Sequence, residues 1–317
     1  MQSTKYVSTV HSKPINKVKF NKDGDLMFAC SKDNQISMIR TEEPNVLGIF
    51  KGHNGNVLTL EPNNFNLITA SSDFTVKNWD ITTGDQIQTF KCDSLIRGIS
   101  GQEKLYFCTD NSLNRECKVG LIDLRYKMVN TVFLSEVSFT NIFNKDDKLI
   151  VSDKNGNIYE YDLRNEKITN VKKIHHKEVT GLAPSQCGSF FVSSSSDFSF
   201  QIIDTRTFKI IKRFESDEPV NSAVIHPENE MIIAVGGEYA RNVTTTYRKT
   251  YFDTYFYDVT TCDKIGFYSN HYGTINTVDV SPRGDFIASG GEDSLVSLIK
   301  LGDEIKAAPF TSLELKF

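Results

Sequence analysis

Apolar residues in this chain come in short runs, and polar turn residues cut between them. Val57-Leu58-Thr59-Leu60, Leu67-Ile68-Thr69-Ala70 and Thr75-Val76-Lys77-Asn78-Trp79 are rich in β-branched and aromatic side chains, which fit a pleated strand. Turn formers stand between such runs, as in Asn21-Lys22-Asp23-Gly24-Asp25, Thr82-Thr83-Gly84-Asp85 and Ser281-Pro282-Arg283-Gly284-Asp285. No window holds the helical period long enough to compete. The pattern predicts an all-β chain of many short strands. Its longest apolar stretch, around Met231 to Val235, is far shorter than the roughly 20 residues of a membrane-spanning helix.

The strand pattern repeats. Ser31-Lys32-Asp33 is followed 40 residues later by Ser71-Ser72-Asp73, then by Ser195-Ser196-Asp197 and Gly291-Glu292-Asp293. A histidine precedes each aspartate at near-constant distance: His11 by 22 residues, His53 by 20, His176 by 21 and His271 by 22. An apolar strand closes seven residues after the aspartate, at Asp80 and Asp204, and at Asp162 when counted from Asn155, which stands in the aspartate's place. Weaker closures at Asp123 and Asp258 belong to units stretched by insertions at 111–118 and 238–251. With Arg40 and Lys300 the closures number seven, and 317 residues over seven units is about 45 each. That is the length of a WD repeat, one four-stranded blade per unit.

The expected fold is therefore a seven-bladed WD40 β-propeller over 1–302, with blades near 10–47, 52–88, 94–131, 137–172, 176–214, 219–266 and 271–301. The segment 5–9 is placed to supply the outer strand of the last blade, closing the ring and removing an open edge. A short tail, 303–317, follows. Its end, Phe310 to Phe317, alternates apolar and polar residues, as either an edge-pairing strand or a frayed terminus would.

The recurring histidine and aspartate have a physical reading. In such a blade the aspartate occupies the turn between the second and third strands, and the histidine lies near it at the start of the unit. A Ser or Thr on the second strand and a Trp on the third complete a buried chain of hydrogen bonds. His53, Thr69, Asp73 and Trp79 form the full set in blade two, and His176 with Asp197 and His271 with Asp293 repeat its core. A buried carboxylate is costly unless fully bonded, so these residues must occur together. Because the set recurs around the ring, it reads as structural rather than catalytic.

The chain carries no catalytic, cofactor-binding or metal-binding motif. The chain lacks a P-loop, a dinucleotide-binding Gly-x-Gly-x-x-Gly, a nucleophile elbow and His-Glu-x-x-His. His175 and His176 are adjacent, and neighbouring residues on a strand face opposite sides, so they cannot easily share a metal. The six cysteines are scattered with no Cys-x-x-Cys pair, as expected of reduced thiols in a cytoplasmic protein. The N-terminus has no apolar signal-peptide core, so the glycosylation pattern at Asn242-Val243-Thr244 carries no weight. A net charge of −4 argues against wrapping nucleic acid by phosphate neutralisation, and no membrane contact is expected.

Two segments depart from the repeat. One is the insertion at 236–246 in blade six, followed by the aromatic run Tyr251 to Tyr257; the other is the acidic link Glu215-Ser216-Asp217-Glu218-Pro219. With these segments go Phe20-Asn21-Lys22-Asp23-Gly24-Asp25-Leu26-Met27-Phe28, Pro219-Val220-Asn221-Ser222-Ala223-Val224, Gly236-Gly237-Glu238, the triplet Thr244-Thr245-Thr246, His271 to Val278 and Ser289-Gly290-Gly291-Glu292-Asp293. In these stretches the sequence resembles the i-subunit family of eukaryotic translation initiation factor 3. The chain departs from the family in Gly-Gly-Glu-Tyr-Ala at 236–240, in Asn270 before His271, in strongly drifted blades three and four, and in the loss of most closing Trp residues.

The resemblance implies a non-catalytic scaffold subunit of the initiation factor 3 complex. It would bind the b and g subunits and reach the small ribosomal subunit through the complex, without sequence-specific contact to nucleic acid. The resemblance implies that the propeller holds a helix of the b subunit, and charge and position make Glu215, Asp217 and Glu218 at the blade five/six junction, with Asp204 and Arg206, the expected contacts. The alternatives are another cytosolic WD40 interaction scaffold, ribosome- or kinase-associated, and a propeller enzyme using its central channel.

Overall fold

A computed structural model describes residues 5–111, 115–238 and 251–302, and every regular element in it is a β-strand. The strands form seven four-stranded antiparallel sheets. Blade one covers 15–51, blade two 57–91, blade three 96–135, blade four 139–173, blade five 179–215 and blade six 220–269. Blade seven takes three strands from 275–300 and its outer strand from Lys5–Ser8. That outer strand pairs antiparallel with Val296–Lys300, Lys5 opposite Ile299 and Ser8 opposite Val296. The insertion residues 112–114 and 239–250, including Thr244 to Thr246, lie outside the described residues, as does the tail 303–317.

Position in the blade sets each strand's burial. The second strand lies between two partners and between two neighbouring blades, so it is buried almost throughout. Asn66–Ser71 and Met231–Gly236 are examples, and this accounts for their continuous apolar runs. The fourth strand has one free edge and is mostly exposed, as at Gln86–Lys91. Among the described residues the buried apolar side chains gather into seven clusters, one at each junction between blades. Blade one meets blade two, for instance, through Phe28, Ile36 and Phe50 against Leu60, Leu67 and Trp79. No blade has a complete core of its own, so ring closure also completes the junction between blades seven and one. Tyr6 from the first strand packs onto that junction. Deleting residues 1–8 is expected to expose the edge of Val296–Lys300 and turn a monomer into aggregates on size exclusion. A truncated chain that stays monomeric with an unchanged melting temperature would show that closure contributes nothing.

Each innermost strand bulges near its start, at Ile15/Lys17 in blade one and at the equivalent place in the other six. Side chains at or beside the bulge reach across to the next blade's backbone. Asn16 donates to the Val57 carbonyl at 2.6 Å, Asn141 to Thr180 at 2.9 Å, Thr180 to Val220 at 2.5 Å, Asn221 to Ile275 at 2.9 Å and Asn276 to Ile15 at 2.8 Å. At the bulge Leu58 in blade two has no polar group to offer, and Arg97 in blade three turns to Asp110 instead, at 2.6 Å. These links fix the order and spacing of blades around the axis, which positions every site described below.

Candidate functional site

Blade two shows how the fold consumes its Ser/Thr, His and Asp groups. Asp73 sits in the turn between the second strand and the third, Thr75–Asp80, with His53 beside it. His53 Nδ1 lies 2.9 Å from Asp73 Oδ2, and His53 Nε2 lies 2.8 Å from Thr69 Oγ1. Trp79 Nε1 donates to the same Thr69 oxygen at 2.8 Å. One assignment satisfies all three contacts. The indole donates to the threonine hydroxyl, the hydroxyl donates to His53 Nε2, and protonated Nδ1 donates to the carboxylate. Asp73 also accepts the backbone N–H groups of Asn54 and Thr75 and the Thr75 hydroxyl. Burial pushes the Asp73 carboxyl upward, but the hydrogen bonds from Thr75, Asn54 and His53 outweigh it and hold the group below its ordinary range. Burial lowers His53 and favours the neutral ring that this chain of donors requires.

The same geometry recurs with local substitutions. In blade seven, His271 meets Asp293 at 3.0 Å and Ser289 at 2.9 Å. No indole is present there, and the Asn270 amide donates to Ser289 instead, at 2.9 Å. In blade one, His11 meets Asp33 at 2.9 Å, but the hydroxyl comes from Ser37 on the third strand. Ser37 stands directly opposite Ala29, which occupies the place of Thr69, so the hydroxyl has crossed to the neighbouring strand. Only the register reveals that exchange.

In blade five the ring facing Asp197 belongs to His175, not His176. His175 Nδ1 lies 3.2 Å from Asp197 Oδ2, and Nε2 lies 2.9 Å from Ser193 Oγ. His176 contributes its backbone N–H, at 2.8 Å, while its side chain is exposed. Residues after the ring histidine do the same elsewhere: Ser12, Asn54 and Tyr272 each donate a backbone N–H to the aspartate. The correct spacing to Asp197 is thus 22 residues, matching His11 and His271. The spacing alone could have favoured His175, since three separations of 22 are more regular than a 21 among them.

Blade four replaces the histidine altogether. Asp153, two residues before Asn155, accepts the Asn155 and Asn157 backbone N–H groups at 2.8 Å and the Tyr159 hydroxyl at 2.9 Å. Its carboxylate occupies the position where other blades carry Ser31, Ser71 and Ser195, which sequence comparison with the aspartate position overlooks.

The acidic candidates divide into two groups. Asp204 ends the third strand of blade five, and its carboxylate accepts the Arg206 and Thr207 backbone N–H groups at 2.9 and 2.6 Å and the Thr207 hydroxyl at 2.9 Å. Asp80, Asp123, Asp162 and Asp258 cap the corresponding turns of their blades in the same way. Asp204 is thus one of a repeating set of turn caps. Arg206 lines a groove of about 600 Å³ between blades four and five, together with Arg164, Asp147 and Asp162. Glu215, at the end of the outer strand Ile210–Glu215, pairs in register with Ser199, so it lies at the opposite end of the blade from Asp204. A six-residue strand separates the two groups by about 17 Å.

Glu215 and Asp217 are open to solvent, with side chains 83% and 94% exposed. Asp217 lies 3.6 Å from Lys264 of blade six. Glu218 turns inward. One of its oxygens accepts the Tyr251 backbone N–H at 2.8 Å, and the other is buried without a hydrogen bond. Burial raises the Glu218 carboxyl against the Tyr251 bond, and Asp253, Asp217 and Glu238 push it the same way as burial. Of the three acidic residues on this rim, Glu215 and Asp217 present charge outward, and Glu218 ties the rim to the segment that follows the blade-six insertion.

Comparison with known proteins places this ring among named relatives. A family model described as EIF3I matches residues 7–307. Eukaryotic translation initiation factor 3 subunit I of Saccharomyces cerevisiae is 30% identical over 314 residues, covering 92% of this chain and 90% of the relative. The protein of the same name from Bombyx mori is 30% identical over 303 residues, covering 90% and 92%, and that from Drosophila melanogaster 30% over 304 residues, covering 90% and 93%.

Proposed function

Since the chain belongs to the subunit I family of eukaryotic translation initiation factor 3, we propose that it is a non-catalytic scaffold subunit of that complex in the cytoplasm. It holds partner subunits, chiefly b and g, and through the complex supports mRNA recruitment and scanning on the small ribosomal subunit. The observation that supports this most is that the family match runs through all seven blades of one ring. In blades one, two, five and seven the hydroxyl bonded to the histidine, from Ser37, Thr69, Ser193 or Ser289, is fully buried, where no substrate could reach it as a nucleophile, consistent with a binding platform. Affinity purification of the tagged full chain with mass spectrometry tests the reading. Recovery of the other initiation factor 3 subunits is expected; their absence, with turnover of a small molecule, overturns it.

For the b subunit, the proposed contact is a helix carrying basic residues, lying along the junction of blades five and six. A helix of roughly 11 residues covers the ~17 Å between Glu215 and Asp204. It would meet Glu215 and Asp217 at one rim and Asp204 and Arg206 at the other. Asp217→Lys is expected to abolish pull-down of that helix and leave folding intact, because an exposed pair such as Asp217–Lys264 contributes at most about 1 kcal/mol. Pull-down at the wild-type level would refute the assignment of this rim.

A further inference from the structure

The channel along the ring axis carries a charge pattern that the scaffold reading leaves unused. The residue immediately after each bulge forms one layer around the axis. That layer holds Lys17, Thr59, Asn141, Ser222 and Thr277, with glycines in blades three and five. It contains one cation and no carboxylate. Two residues further along the strand the balance differs: Lys19 pairs with Glu61, and Asp279 accepts the Phe20 backbone N–H at 2.8 Å. The Lys17 ammonium has neither a hydrogen bond nor an ion pair among the described residues, although the residue is only partly exposed. Burial pushes its ammonium group down and neighbouring Lys19 adds to that push, while the charges of Asp279 and Glu61, which lie off this layer and are engaged by the Phe20 backbone and by Lys19, only partly offset it.

Lys17 opens onto a cavity of about 520 Å³ at the end of the channel where the His–Asp groups lie. Arg97 and Lys154 also line this cavity, against a single carboxylate, Glu178. Arg97 engages Asp110 through Nε, and its side chain is 40% exposed. The mouth is therefore locally cationic in a chain whose net charge is −4. Its volume falls within the range of small-molecule sites, about 300–1,000 Å³. Low-dielectric walls lined by one sign of charge concentrate the opposite ion, and an ammonium removed from bulk water without a partner gains most from one.

We propose that this channel mouth binds a small, multiply charged anion of the phosphate class, with Lys17 at the floor and Arg97 and Lys154 at the rim. The test titrates the full-length chain with inorganic tripolyphosphate by calorimetry at low ionic strength. Wild type is expected to bind saturably at one site, and Lys17→Met to weaken binding at least tenfold. The same variant, in buffer without phosphate, is expected to melt at or above the wild-type temperature, since it removes an unpaired charge and keeps the apolar stem. Lys167→Met, on the exposed outer strand of blade four, is expected to bind as wild type does. No saturable binding by wild type, undiminished binding by Lys17→Met, or an equal loss in Lys167→Met would each overturn the site. If Lys17→Met fails to fold, Lys154→Gln at the exposed rim carries the same expectation of weakened binding, and unchanged affinity there overturns the proposal.

Discussion

Gly156→Ala is expected to destabilise the ring by about 3 kcal/mol or more, read as a lower urea midpoint with an unchanged slope. Gly156 follows Asn155 in the turn between the second and third strands of blade four and has φ = 86°. The left-handed conformation alone does not demand glycine there. Asn34, Phe74, Phe198 and Ser294 hold the equivalent positions of four other blades at φ between 62° and 68°. What alanine cannot meet is the space, because a Cβ on Gly156 would lie 2.1 Å from the carbonyl oxygen of His175. That carbonyl is backbone and has no flexible end to move aside. The Gly156 carbonyl also accepts the N–H groups of Ile174 and His175, at 3.0 and 3.1 Å. Pushing the two segments apart would therefore break these bonds and shift the histidine that faces Asp197. Gly84→Ala is the control. Gly84 has φ = 79° but nothing within 4 Å of the added Cβ, so only the conformational cost of about 1–2 kcal/mol remains. Equal losses in the two variants would remove the steric argument.

Asp197→Ala is expected to be comparably damaging, with a loss of about 2–4 kcal/mol. The carboxylate accepts from the His175 ring, the His176 backbone, and the backbone and hydroxyl of Ser199. Its removal leaves these donors in a region where the Asp197 side chain is only 5% exposed, so water cannot fully replace it. The same network predicts acid lability. Burial raises the Asp197 carboxyl, but bonds from His175, Ser199 and His176 more than compensate and hold it far below the ordinary value of 3.8. Asp73 and Asp293 shift in the same direction. The unfolded chain therefore binds more protons than the folded one between the lowered values and the ordinary range. Stability from these groups is complete above the unfolded value and is lost as pH falls through the folded one. His53 adds to the same slope at higher pH. Its folded value is below the ordinary 6.5, so the unfolded chain takes up a proton first as pH drops below that point. Urea titrations are expected to show stability declining from about pH 6.5 downward and steeply below about pH 4. In Asp197→Ala the steep part is expected to be shallower; an identical profile would exclude Asp197 as a source of the slope.

Recognition of the ring from sequence rested on a few residues whose roles do not depend on neighbours far away. Turn residues and the run Phe74 to Asp80 state a local conformation, and the recurrence of Asp33, Asp73, Asp197 and Asp293 states a period. Exchanges of role were less legible. Ser37 serving for the place held by Ala29, Asn270 replacing an indole donor, and the Asp153–Tyr159 contact in blade four all depend on which residues oppose each other across strands. Adjacent residues such as His175 and His176 differ only in which side of the backbone they occupy, and a one-residue bulge or loop step reverses that assignment. The distance between Asp204 and Glu215 was illegible in sequence for a related reason. They are 11 positions apart in sequence, but an antiparallel turn between them carries them to opposite ends of a blade.

Local pattern and repetition were enough for the all-β class, the number of blades, the closure by the first strand and the pairing of histidine with aspartate in blades one, two and seven. Ring geometry settled which of two adjacent histidines faces Asp197, where the missing hydroxyls are supplied, how the blades are latched at their bulges, and that Lys17 stands in a layer without a carboxylate. Those features are contacts between residues from different strands and different blades, whose meeting is set by register and ring geometry rather than by any local stretch of the chain.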